Sequence, residues 1–166
     1  MSSNTATTNR ERDLKSLEQM FSCIHSPVMD NFFDRAKVDM TPGNVFHFYE
    51  VFHALVNASR FHLYDKNLYE MTRDFDKSWQ TALSFGAWFK SVPVDAFRFN
   101  TDYTTDEGEK AYAAFHKTMD DLEFDFRLLC FYVRENYPEL DLDETDKAAW
   151  REYVEFHAKG SDHEKS

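Results

Sequence analysis

A chain of 166 residues with only four glycines and four prolines is long enough to bury one core, yet too poor in turn residues for a sandwich or barrel of many short strands. Its 17 phenylalanines, 8 tyrosines and 3 tryptophans supply bulky core material. The net charge of -11 is lopsided: residues 1–100 hold 11 Lys and Arg against 12 Asp and Glu, whereas 101–166 hold 8 against 18. That excess disfavours direct contact with nucleic acid, which needs clustered cations.

Residues 1–9 are polar, have neither an apolar nor a basic leader pattern, and are expected to form a disordered tail. With no apolar run of about 18 residues to cross a membrane, the expectation is a cytoplasmic protein. Thr8 and Glu11 have capping-box spacing ahead of Leu14, Leu17, Met20, Phe21 and Ile24, which recur with a helical period. Ser26-Pro27 reads as the N-cap and first turn of a short second helix with Val28, Met29, Phe32, Phe33 and Ala36 on its apolar stripe. Thr41-Pro42-Gly43-Asn44 punctuates the chain. A third helix over about 44–59 is apolar almost all round, as central helices are.

Asp65 is placed to cap a fourth helix that the period carries to about Lys90, through Leu68, Phe75, Trp79, Leu83, Gly86 and Phe89. Residues 91–105 break the helical period and alternate in part, giving one longer irregular connection with some extended character. Thr104 and Glu107 repeat the capping-box spacing before a long fifth helix, about 106–136, whose seam is Ala111, Phe115, Met119, Leu122, Phe126, Leu129 and Val133. Tyr137-Pro138 ends it, and Asp143 reads as the cap of a last helix with Ala149, Trp150, Tyr153 and Val154. The expected fold is all-α, a compact bundle of about six helices forming a single domain over 10–158, with a disordered tail over 159–166. Cys23 and Cys130 fall on apolar periodic positions and read as buried free thiols.

No phosphate-binding loop, dinucleotide fingerprint, nucleophile elbow, CxxC or HExxH is present, and no cofactor is expected. His47, Glu50 and His53 cluster on the third helix, and Glu50 with His53 fits Glu-x-x-His, a spacing that aims two ligands the same way into a bundle. The partner motif of a di-iron site is missing, so hydrogen bonding within the bundle accounts for these residues as readily as a metal or flat cofactor does. Arg151 and His157 fit Arg-x5-His, in which a ribonuclease-like helical bundle would steady a phosphate with the arginine and move a proton with the histidine. Glu152 sets an anion where that phosphate would sit.

The carboxylates form three groups: Asp102, Asp106, Glu107 and Glu109 at the start of the fifth helix; Asp120, Asp121, Glu123 and Asp125 along it; and Glu139, Asp141, Asp143 and Glu144 in the turn that follows. The first group complements the helix macrodipole. Together they favour a non-enzymatic acidic interaction protein, an inhibitor or regulator, that binds a basic and possibly nucleic-acid-handling protein partner. The alternatives are a metal- or cofactor-binding bundle at His47, Glu50 and His53, and a ribonuclease using Arg151 and His157.

Overall fold

The computed structural model describes residues 2–101 and 105–164. Six helices dominate: α1 (Ser2–Phe21), α2 (Ser26–Ala36), α3 (Asn44–Val56), α4 (Lys66–Ala82), α5 (Asp106–Asn136) and α6 (Leu142–Glu164). One hydrophobic cluster draws on all six; α1 to α5 bury most of the stripe that their spacing marks out, whereas of the stripe expected on α6 Ala149 is buried, Tyr153 is half-buried, and Trp150 and Val154 are exposed. The most extensive helix–helix contact is α4 against α5. A file of rings runs through the centre, from Phe33 to Phe126 (5.9 Å), Phe75 (5.4 Å), Trp79 (5.4 Å) and Phe52 (5.7 Å). Pairs at such distances and tilts add about 0.5–1.5 kcal/mol each beyond the area they bury.

The helical bundle carries a small sheet. Strands β1 (Met40–Pro42), β2 (Phe89–Val92) and β3 (Ala96–Phe99) pair antiparallel in the order β1-β3-β2. The connection expected near 91–105 is therefore partly a hairpin, and β1 closes onto it from a distant part of the chain. The expected run of α4 to Lys90 is corrected: the α-helix stops at Ala82, a 3-10 helix covers Leu83–Trp88, and Phe89 opens β2. Phe89 and Phe97 obey the helical and the alternating pattern at once, and pairing with β3 decides between them. Gly43 closes the β1–α3 corner, where its N–H donates to the Asp95 carbonyl (2.7 Å) and a Cβ would stand 2.2 Å from Asp95 Oδ1.

Several helix starts shift. α1 begins at Ser2, so Thr8 is interior and its hydroxyl donates to the Asn4 carbonyl (2.9 Å) in place of capping anything. Nothing between residues 2 and 24 breaks a helix, since proline and glycine are absent there. The N-cap of α2 is His25, not Ser26; the Ser26 N–H is satisfied by Asp146 Oδ1 (2.8 Å) from α6. For α5 the cap is Thr105, which accepts from the Gly108 N–H (3.0 Å), while Thr104 lies outside the described residues. The start of α6 is capped by Asp141, which accepts from the N–H groups of Asp143 and Glu144 (3.0 and 3.2 Å), not by Asp143. α6 continues through 159–164, the stretch expected to form a tail. Asp65 caps α4 as expected, accepting from Asn67 and Leu68.

Candidate functional site

The third-helix cluster separates toward two neighbours. His53 turns to α4, where its Nδ1–H lies 2.8 and 3.0 Å from the two oxygens of Asp76, a carboxylate only 6% exposed. Tyr49 Oη (3.1 Å) and Asn57 Nδ2 (3.2 Å) also approach Nδ1, and Asn57 Oδ1 accepts from Arg73 (2.8 Å). Burial and then the Asp76 charge push the Tyr49 phenol up to about 12. This is a clasp that fixes α3 on α4 and favours the imidazole tautomer with its proton on Nδ1.

His47 instead faces α6, with ring centroids 5.0 Å from Tyr153 and 5.5 Å from His157. Burial lowers its pKa and the neighbouring His157 lowers it further, against the opposing pull of Glu152 and Glu50. Glu50 is exposed. Six residues along a helix place His47 and His53 about 120° apart, and among the described residues no group of three His, Cys, Asp or Glu side chains converges on a metal-sized point.

Arg151 and His157 both lie on α6, six residues apart, and so also diverge by about 120°. His157 packs its ring on Tyr153 (4.3 Å) and Phe156 (5.5 Å), while Arg151 is exposed beside Trp150 and Glu155 on the border of a groove. A second histidine device went unread in the sequence: His116 Nε2 lies 2.8 Å from Asp39 Oδ1 and ties the segment before β1 to α5. Asp39 has φ 66°, a backbone that an aspartate tolerates better than most residues.

The acidic residues divide by role. Asp106, Glu107 and Glu109 are exposed in the first turn of α5, and Asp102 lies outside the described residues. Asp120 is exposed with no ion pair among the described residues, and Asp121 pairs with Lys117 (3.1 Å). Glu123 accepts from Arg127 (3.3 Å). Asp125 is half-buried against the Ser78 hydroxyl; burial raises its pKa, the Ser78 bond opposes this, and Asp74 and Asp121 raise it further. Glu139 is occupied by Arg10, whose bond is the main cause of its pKa falling to about 2. Asp141 is spent on its cap, Asp143 is exposed, and Glu144 pairs with Lys147 (3.2 Å). Asp143 of α6 and Asp106, Glu107, Glu109 and Asp120 of α5 are thus the ones least committed to side-chain contacts among the described residues.

On that helix the structure shows what the charge pattern did not. Phe124, Leu128 and Phe131 are 65%, 39% and 57% exposed. Spaced by four and three, they share one face, opposite in purpose to the buried seam of Phe115, Met119, Leu122, Phe126, Leu129 and Val133. Asp120 and Asp121 precede Phe124 by one turn and lie on either flank of this stripe. A single exposed apolar side chain is ordinary; three in register on one rigid helix form a patch that water solvates poorly. The signal was present in the sequence, because α5 carries more large apolar residues than one seam can use.

α6 adds Trp150, Val154 and Phe156, at 42%, 48% and 61% exposure. Among the described residues no helix is long and apolar enough to cross a membrane. No protein-family model, curated protein or solved structure matches this chain.

Proposed function

We propose that this protein is a non-enzymatic interaction or regulatory protein that captures a basic, amphipathic segment of a protein partner along the outer face of α5. The observation that carries this reading is the exposed stripe Phe124–Leu128–Phe131 flanked by Asp120 and Asp121. Between 106 and 125 the helix bears seven Asp and Glu against two Lys, so the field over this face attracts cations. An apolar stripe alone would favour any greasy surface. Bordered by carboxylates, it selects a partner whose own apolar ridge is flanked by Lys or Arg, because such a partner pairs both features at once. A partner that handles nucleic acid has such basic surfaces, and an acidic helix competes for them.

The test is capture from host lysate at low and high salt by three proteins: the native chain, the pair Phe124→Ser/Phe131→Ser, and the pair Asp120→Lys/Asp121→Lys. Exposed positions of this kind alter folding stability by no more than about 0.5 kcal/mol. The expected result is one basic protein retained by the native chain and lost from both variants, with retention falling as salt screens the charges. Each deleted aromatic anchor should weaken binding by about tenfold or more. Retention unchanged in both variants at every salt concentration would remove α5 as the site.

A further inference from the structure

The three-stranded sheet does more than tie the hairpin down. In its register Thr41 and Ser91 both stand opposite Phe97, one on each side. That row forms one wall of a partly open recess of about 150 Å³, bounded elsewhere by Phe46, Phe85, Phe89 and the end of α4. Four of its lining residues are phenylalanines, and no charged residue lines it. Phe46, Gly86 and Ser91 are exposed and form its rim.

Water in a recess lined mainly by apolar side chains finds few hydrogen-bond partners and is readily displaced by an apolar guest. The space is that of one six-membered carbon ring, and rings on several sides offer edge-to-face contacts to a flat aromatic guest. Its only side-chain polar groups are the hydroxyls of Thr41 and Ser91. A charged ligand would lose its hydration with nothing to replace it. We infer that this recess is a binding site for a small, neutral, single-ring aromatic molecule, seated between the β1–β3–β2 sheet and the end of α4. The site is separate from the outer face of α5 and stands whether or not that face binds a partner.

Gly86 supplies the decisive variant. A Cβ built there meets nothing within 4 Å, and its φ is not in the left-handed region, so Gly86→Leu extends into open space at the rim without strain. Isotope-labelled protein is titrated with toluene and followed by backbone amide NMR, with benzylammonium as the charged control. Saturable shifts are expected within 82–91 and around Phe97, with binding of toluene at least about tenfold tighter than of benzylammonium. Gly86→Leu should abolish those shifts while its melting temperature stays that of the native chain. Ser91→Phe blocks the rim from the sheet side at an exposed position, so a second occluded protein is on hand should the first fold poorly. The inference is overturned if toluene gives no saturable shift up to its solubility limit. It is equally overturned if the shifts persist in a folded rim-blocked variant, or if benzylammonium binds as well as toluene.

Discussion

The Asp65 side chain joins the start of α4 to the end of α5 through four hydrogen bonds. Its Oδ1 accepts from the N–H groups of Asn67 and Leu68 at the start of α4 (3.1 and 3.2 Å), and its Oδ2 accepts from the hydroxyls of Tyr132 and Tyr137 at the end of α5 (2.6 and 3.0 Å). Its own N–H donates to Asp13, a carboxylate 2% exposed that also accepts from Tyr64 N–H. Burial pushes the Asp65 pKa up; the bond from Tyr132 and those from Leu68, Tyr137 and Asn67 together outweigh it, so the net direction is down. A carboxyl whose folded pKa is depressed contributes stability that is present above its unfolded pKa and lost as pH falls through the folded value. Asp65→Ala removes a helix cap and strands two phenols, and should lower the unfolding free energy by about 2–3 kcal/mol at pH 7. The deficit relative to the native chain should shrink as the denaturation is repeated at pH values below about 4, where Asp65 of the unfolded chain takes up a proton that the folded carboxylate resists until its lower pKa is reached. A deficit that stays constant down to pH 2.5 would mean that the charge of Asp65 contributes nothing.

At the scale of elements, what was legible depended on whether the deciding signal was local. α5 spans 106–136 as its spacing indicates and ends at Tyr137-Pro138, although its cap is Thr105 and not the expected Thr104, and Asp65 was readable as a cap because capping is a contact over three residues. The end of α4 was not readable: Leu83 to Phe89 continues the helical period, and only the pairing of Phe89 with Phe99 of β3, itself held on its other edge by the distant β1, draws Phe89 into a strand. The exposed stripe of α5 was hidden for a related reason. Periodicity shows that Phe124, Leu128 and Phe131 share a face; it does not show that no other helix covers it. The histidines of α3 likewise could be placed on the helix but not assigned to α4 or α6. That assignment has a consequence for α6. His47 seals the far half of α6 onto α3 through Tyr153, Phe156 and His157, and its pKa is lowered by burial and then by His157. A histidine with a depressed folded pKa is favourably neutral while docked. Docking is unpenalised above the unfolded value near 6.5 and weakens as pH falls from there to the folded pKa. Glu152 and Glu50 oppose the effect without reversing it. Hydrogen exchange of amides 154–160, corrected for the intrinsic rate, should therefore show less protection at pH 5.5 than at pH 7.5, and His47→Phe should flatten that difference.

The whole molecule carries its charge asymmetrically, and the fold concentrates the asymmetry further. Seven acidic and two basic residues between 106 and 125 lie along one rigid helix, and the upward pull of Asp74 and Asp121 on Asp125 shows like charges close enough to resist one another. Two terms of opposite sign respond to salt. Short pairs such as Lys117–Asp121 and Lys147–Glu144, together with the carboxylates at the N-terminus of α5, are favourable and weaken on screening. Repulsion across the acidic surface is unfavourable and also weakens. Exposed pairs contribute at most about 1 kcal/mol each and often nothing, whereas a net charge of -11 on 166 residues sums repulsion over many partners. Repulsion should win, so the melting temperature should rise by about 2–5 °C between roughly 10 and 200 mM sodium chloride. Asp120→Asn/Asp121→Asn should melt higher than the native chain at low salt, converge with it at high salt, and capture less of a basic partner throughout. Stability and capture would then move in opposite directions through the same two side chains, as expected where like charges are held together against their own repulsion for a cation to neutralise. A native melting temperature that falls with salt would show that the acidic surface is already neutralised within the fold, leaving little field to draw a partner.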